Sequence, residues 1–134
     1  MSAAANPTSS LILPPSALSR AGELLRELRT IRAADRFTDF CRLIYPRYEE
    51  APHLRILAEK LEAVERGDIL RLIITMPPRH GKTWTASHLF PAWFLGRQAD
   101  RQVIAATYNQ DLADAIGRAV RNTVGDEAFA AVSP

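Results

Sequence analysis

Leu72-Ile73-Ile74-Thr75-Met76-Pro77-Pro78-Arg79-His80-Gly81-Lys82-Thr83 carries an apolar run, a proline pair and a Gly-Lys-Thr triplet, in that order. The run reads as a buried strand. Pro77 and Pro78 cannot donate to a central ladder, so they end it and stiffen a turn. Gly81-Lys82-Thr83 then opens a helix. A strand, a tight turn and a helix N-terminus direct backbone N–H groups at one point, an arrangement suited to the phosphates of a nucleoside triphosphate. In that arrangement Lys82 reaches the β- and γ-phosphate oxygens and the Thr83 hydroxyl ligates Mg²⁺. The first glycine of the pattern G-x-x-x-x-G-K-[ST] is missing, because Met76 holds its place. With six Gly, two Lys and fifteen Ser plus Thr in the chain, a chance Gly-Lys-[Ser/Thr] arises on the order of 1% of the time. The plain alternative is a strand–turn–helix whose Lys82 only faces solvent.

Downstream, strands and helices alternate. Ile69–Thr75 reads as a continuous apolar run broken only by Arg71, and Gly81–Leu95 is a predicted helix kinked or interrupted at Pro91. Val103–Thr107 reads as a second buried strand. Asn109 then caps a helix with Leu112, Ile116, Ala119, Val120 and Val124 on one face. Such alternation predicts an α/β fold with a parallel sheet.

Upstream lies a different zone. Residues 1–15 are rich in Ala, Ser and Pro and read as a disordered tail. Residues 16–67 read as helices. Leu18, Ala21, Leu25, Leu28 and Ile31 recur at helical spacing, with Arg20, Arg26, Arg29 and Arg32 at the other positions. A second short helix spans Phe37 to Tyr45 and stops at Pro46. A third starts near Pro52 and ends at Gly67. The arginines of the first helix suit either DNA contact or a solvated face.

Composition narrows the classes further. The 134 residues are 47% hydrophobic, enough for a sizeable core. No apolar run approaches the roughly 18 residues of a membrane span. Met1–Ser10 lacks a positive n-region, and no h-region follows it, so secretion is not expected. The single cysteine, Cys41, permits no internal disulfide and reads as a small buried hydrophobe. Fifteen of the seventeen cations are arginine. That bias fits phosphate recognition or simply a GC-rich genome. His53, His80 and His88 show no metal-ligand spacing.

The segment Met76–Thr83 resembles the deviant Walker A of the large terminase subunit of tailed bacteriophages and prophages. So does the text around it: Phe90-Pro91-Ala92-Trp93-Phe94-Leu95-Gly96-Arg97, Val103-Ile104-Ala105-Ala106-Thr107-Tyr108-Asn109, Leu112-Ala113 and Arg118-Ala119-Val120-Arg121. The resemblance runs from about Phe37 to the C-terminus. It implies an ATP-driven motor that packages viral double-stranded DNA, joined in full-length members to a nuclease domain. It also implies an incomplete P-loop NTPase fold over residues 68–134, preceded by the helical lead-in 16–67. Pro78, Arg79, His80, Gly81, Lys82, Thr83 and Trp84 then correspond to the ATP-binding loop, with Lys82 and Arg79 catalytic and Thr83 on Mg²⁺. Arg79 matches the loop arginine that responds to the γ-phosphate, or pairs structurally with a carboxylate. Tyr45 or Tyr48 flanks the adenine or packs in the core. Tyr108, Asn109, Arg118 and Arg121 match positions that recur in the family. The implied partners are the small terminase subunit, the capsid portal and further copies of the chain, in the bacterial host cytoplasm and away from membranes.

No apolar strand ending in Asp-Asp or Asp-Glu follows the loop, and Asp111 sits where first-turn helix chemistry would put it. The nuclease carboxylates are absent as well. The expectation is therefore a truncated, poorly stable chain that binds ATP weakly and hydrolyses it negligibly. The alternative function is a non-enzymatic prophage vestige, or a module that binds DNA or a partner through residues 16–67.

Overall fold

The computed structural model describes residues 14–98 and 100–133. The disordered tail expected over residues 1–15 lies almost wholly outside the described residues; Pro14 is extended and Pro15 already begins a helix.

Local signals explain the first three helices. α1 (Pro15–Asp35) starts with a proline in its first turn, where no intrahelical N–H bond is needed. It ends at extended Arg36, and α2 (Phe37–Ile44) follows at once. The free N–H of Phe37 donates to Glu62 Oε1 at 2.9 Å, so a carboxylate from α3 satisfies an orphan donor of α2. α3 (Pro52–Glu65) again opens on a proline. Its chain turns away through Gly67 at φ 83°, a conformation that L side chains resist.

Lys82 and Thr83 begin the next helix, which widens into a π-helical turn over Trp84–Leu89 before α4 (Phe90–Arg97). Phe90 N–H reaches back to the Thr85 carbonyl, five residues earlier. Pro91 accounts for the interruption: it has no N–H to give and its ring crowds the preceding turn, and the wider turn accommodates both defects. α5 (Gln110–Val124) is capped as the sequence predicts, the Asn109 side chain accepting from Leu112 N–H at 2.9 Å. α6 (Glu127–Ala130) is a single turn capped by Asp126.

The core is built where these helices meet. Phe37, Phe40 and Cys41 of α2 pack with Leu57, Ala58 and Leu61 of α3, with Leu89, Ala92 and Trp93, and with Phe129 of α6. Phe37 meets Phe90 edge-on at 5.6 Å, and Phe40 meets Phe129 edge-on at 6.2 Å. Burying each such ring contributes roughly 2–3 kcal/mol. The Trp93 indole donates to the Ala33 carbonyl at 3.1 Å, which pins the end of α1 to α4. Arg97 and Arg101 both reach buried Glu65, at 3.4 and 2.7 Å, closing α3 over the start of the following loop. Burial pushes the Cys41 thiol far above its ordinary value, so it is an inert part of the core.

The parallel sheet expected from the sequence is absent. Among the described residues the fold is all-α, with no strand. Ile69–Thr75 is not buried on both faces. Leu72, Ile74 and Met76 pack against the helices, whereas Arg71, Ile73 and Thr75 point outward, Ile73 at 92% exposure. Side chains alternate, but a strand needs a ladder, and residues 70–80 make no backbone–backbone hydrogen bond among the described residues. Val103–Thr107 is likewise no buried strand: Ile104 is 95% exposed. The α/β P-loop architecture, which the resemblance also implied, is corrected to a helical assembly with two surface-lying apolar segments.

Candidate functional site

The Met76–Thr83 turn stands at the junction of α3 and the π-helical turn, and its backbone is unusual at two points. Arg79 has φ 63° and Gly81 has φ 79°. The left-handed region suits glycine but costs another residue about 1–2 kcal/mol. Arg79 is thus held in place by its surroundings. The His80 ring accounts for part of this, with Nδ1 at 2.8 Å from the Pro78 carbonyl, and His53 Nε2 lies 3.3 Å from the His80 carbonyl. The two imidazoles meet edge-on at 5.7 Å.

Gly81 also lies against α3. A Cβ at that position would stand 3.3 Å from both terminal carbons of Leu54. The close approach brings the first helical turn down onto the core, and the Gly81 carbonyl accepts from Thr85 N–H at 2.9 Å as the first helical acceptor.

Among the described residues, the N–H groups of residues 79 to 84 meet no backbone or side-chain acceptor. Helix N-termini always leave some donors unpaired. Here they border a concavity of about 390 Å³ lined by residues 76–79 and 81–84. That lining contains two cations, Arg79 and Lys82, and no carboxylate. Neither cation has an ion-pair partner among the described residues. Lys82 is half-buried; Thr83 and Trp84 are exposed.

A second concavity, of about 330 Å³, shares Gly81 and Trp84 with the first. Its walls carry Tyr45, Tyr48 and Leu54. Tyr45 stands 5.7 Å from Trp84 between ring centroids, and His88 meets the same indole edge-on at 4.8 Å. Behind these rings three buried polar atoms lack a partner: Tyr48 Oη, Thr85 Oγ1 and His88 Nδ1. Burial, with Cys41 beside it, pushes the Tyr48 phenol up to about 12. Desolvation lowers the His88 pKa below its ordinary value.

The structure therefore brings Pro78, Arg79, Gly81, Lys82, Thr83 and Trp84 to one concavity, with Tyr45 and Tyr48 in the adjoining one, whereas His80 lines neither and turns its ring to the Pro78 carbonyl and His53. Other residues singled out from the sequence stand apart from it. Tyr108 is 87% exposed and lines neither concavity. Asn109 is a helix cap, Asp111 lies in the first turn of α5, and Arg118 and Arg121 are exposed on that helix. Leu54 and His53 were not legible as neighbours of the loop. Each comes from α3, 27 residues earlier, and no local pattern ties the two stretches together.

Residues 73–131 match the family described as terminase large subunit, T4likevirus-type, N-terminal. No curated protein and no solved structure matches the chain. The matched stretch, a little under half of the chain, runs from within the Leu72–Thr83 segment through α4, α5 and α6. It thus covers the turn with its unpaired N–H groups and its two cations together with the helices that support it, and over these residues the chain is similar to the N-terminal part of the terminase large subunit.

Proposed function

We propose that the Pro78–Trp84 turn binds ATP with Mg²⁺, and that the chain supplies the nucleotide-binding portion of an ATP-driven motor that packages viral double-stranded DNA. One observation carries this reading. Unpaired N–H groups from residues 79–84 border a concavity that holds Lys82 and Arg79 and no carboxylate. Both features favour a polyanion at that spot and disfavour a cationic or neutral ligand.

The residues present fit the group. Backbone donors and Lys82 would hold the phosphate oxygens, Thr83 would offer its hydroxyl to Mg²⁺, and Arg79 would add a second positive charge. The adjoining slot between Tyr45 and Trp84 is apolar and aromatic, as a purine ring requires. Bound Mg²⁺ offsets phosphate charge. Among the described residues no acidic side chain lines the concavity to polarise an attacking water, so binding without appreciable turnover is the expected behaviour of this chain. The family implies the small terminase subunit, the portal and other copies of the chain as partners, with DNA as substrate.

Titration with a fluorescent ATP analogue and Mg²⁺ tests the reading. Lys82→Ala removes one charged hydrogen-bond donor, which is worth about 1.5–3 kcal/mol and so weakens binding roughly 10- to 100-fold. Equal affinity of the variant and the original chain, with both folded by circular dichroism, would refute the site.

A further inference from the structure

A hollow of about 590 Å³ lies where α1, α2 and the loop leaving α2 meet. It shares Tyr48 with the slot beside Trp84 and no residue with the concavity that holds Lys82. Arg29 and Arg32 border it from α1, and Asp39 and Arg42 from α2. Leu43, Pro46 and Tyr48 complete its wall. Three guanidinium groups thus converge on a space lined by one carboxylate.

That carboxylate fixes two of the three. Asp39 Oδ2 accepts from Arg32 Nε at 3.1 Å, and Oδ1 stands 3.6 Å from Arg42 Nη1. Glu50, outside the lining, takes Arg42 Nη2. The Asp39 side chain is 17% exposed, against 63% for Arg32 and 52% for Arg42, so a sunken anchor holds two accessible cations. Each guanidinium has five N–H donors. Arg32 commits one nitrogen and Arg42 two, and Arg29 has no ion-pair partner among the described residues. Arg29 and Arg32 also stand three apart on one helix, where like charges repel. The lining therefore gathers positive charge and donors well beyond what its own acceptor satisfies.

We infer that this hollow is a second anion site, which takes the phosphate group of a phosphate ester. Guanidinium forks match phosphate oxygens in geometry and charge, and a phosphate has enough oxygens to serve three arginines where a carboxylate has two. The volume falls within the range of small-molecule sites, more than a bare oxyanion fills. The esterified group occupies the remainder, against Leu43 and the Tyr48 ring. Two sources share this chemistry, the backbone of DNA and a free phosphate ester, and neither calls on Lys82.

Titration of the full chain with inorganic phosphate, followed through the arginine Nε–H signals in ¹H–¹⁵N NMR, tests the site. The Arg29 and Arg32 signals shift together and saturate. Lys82→Ala leaves both shifts unchanged, which separates this site from the nucleotide turn. Arg29→Ala weakens the binding that Arg32 reports by roughly 10-fold or more, through loss of a charged donor. The variant keeps α1, because Arg29 is exposed and alanine favours a helix, and circular dichroism checks this. Shifts that stay linear and match those of Arg20 and Arg26 overturn the inference. An Arg29→Ala variant whose Arg32 signal titrates at the original affinity overturns it too. Competition then separates the sources. Displacement of phosphate by a short DNA duplex, weakening as salt rises, assigns the site to backbone phosphates. Displacement by glycerol 3-phosphate and not by the duplex assigns it to a free ester, and displacement by neither overturns the phosphate-ester assignment.

Discussion

Replacing Gly81 with alanine isolates the two constraints that shape the Met76–Thr83 turn. At φ 79° an alanine pays the left-handed penalty of about 1–2 kcal/mol. Its Cβ also arrives 3.3 Å from Leu54 Cδ1 and Cδ2, tighter than ordinary van der Waals contact, and Leu54 is buried with little room to yield. Overpacking of this kind adds about 1 kcal/mol, the low end for a single inserted methyl. Gly67→Ala provides the internal control. Gly67 has a nearly identical φ of 83°, yet nothing lies within 4 Å of its would-be Cβ. Urea denaturation should therefore show Gly67→Ala less stable than the original chain by about 1–2 kcal/mol and Gly81→Ala by about 2–3 kcal/mol. Combining Gly81→Ala with Leu54→Ala removes the crowding, so the double variant should be less destabilised than the sum of the two singles, by about 0.5–1 kcal/mol. Equal costs at the two glycines would refute the packing of the turn onto α3. No cost at Gly81 would refute its left-handed conformation.

Two further substitutions probe the turn behind the loop. Thr85→Val deletes a buried hydroxyl without a partner while keeping the side-chain shape, and should raise stability by about 1 kcal/mol; a loss of that size would show that the hydroxyl is bonded after all. His88, with its pKa lowered by desolvation, binds its proton less readily folded than unfolded. Its neutral form therefore favours the fold above the unfolded pKa of about 6.5, and this contribution is lost as pH falls through the lower folded value. The difference in denaturation midpoint between the original chain and His88→Leu should change as pH drops below that point; a constant difference from pH 7.5 to 5 would contradict the assignment.

The sequence was legible where structure is decided locally. Pro15 and Pro52 open helices, Gly67 closes one and Asn109 caps another, each through its own backbone chemistry within a turn of the element it bounds. The turn before the helix was legible for the same reason, since Pro77, Pro78 and Gly81-Lys82-Thr83 lie within one short stretch. The sheet was misread because a strand is a relation between distant segments. A run such as Leu70 to Ile74 has the composition of a strand buried on both faces, yet its members meet different surroundings. Leu72 and Ile74 pack on helices, while Leu70 and Ile73 stay in solvent. The aromatic slot was half visible. Tyr45 and Tyr48 were noticed for their type, but that Tyr45 meets Trp84 depends on how α2 and α3 place the intervening loop against a helix 39 residues later.

Irregularity in this molecule is concentrated around one turn. Arg79 is left-handed without being glycine, the helix after Thr83 widens to π geometry, and among the described residues the buried side-chain polar atoms without partners belong to Tyr48, Thr85 and His88. An unpartnered buried polar atom costs about 1–3 kcal/mol, and a non-glycine residue in the left-handed region about 1–2 kcal/mol. The helices elsewhere show ordinary caps and a close-packed aromatic core, so the sequence is able to specify relaxed structure and does so away from the loop. Pro91 explains the wide turn, but it does not explain why Thr85 and His88 keep polar atoms in an apolar interior. A ligand that occupies the slot between Tyr45 and Trp84 would come within reach of these polar atoms, and binding that engages them would stabilise the fold. The raised stability expected of Thr85→Val should accordingly be accompanied by weaker nucleotide binding, whereas a hydroxyl that was merely an accident of packing would raise stability and leave binding unchanged.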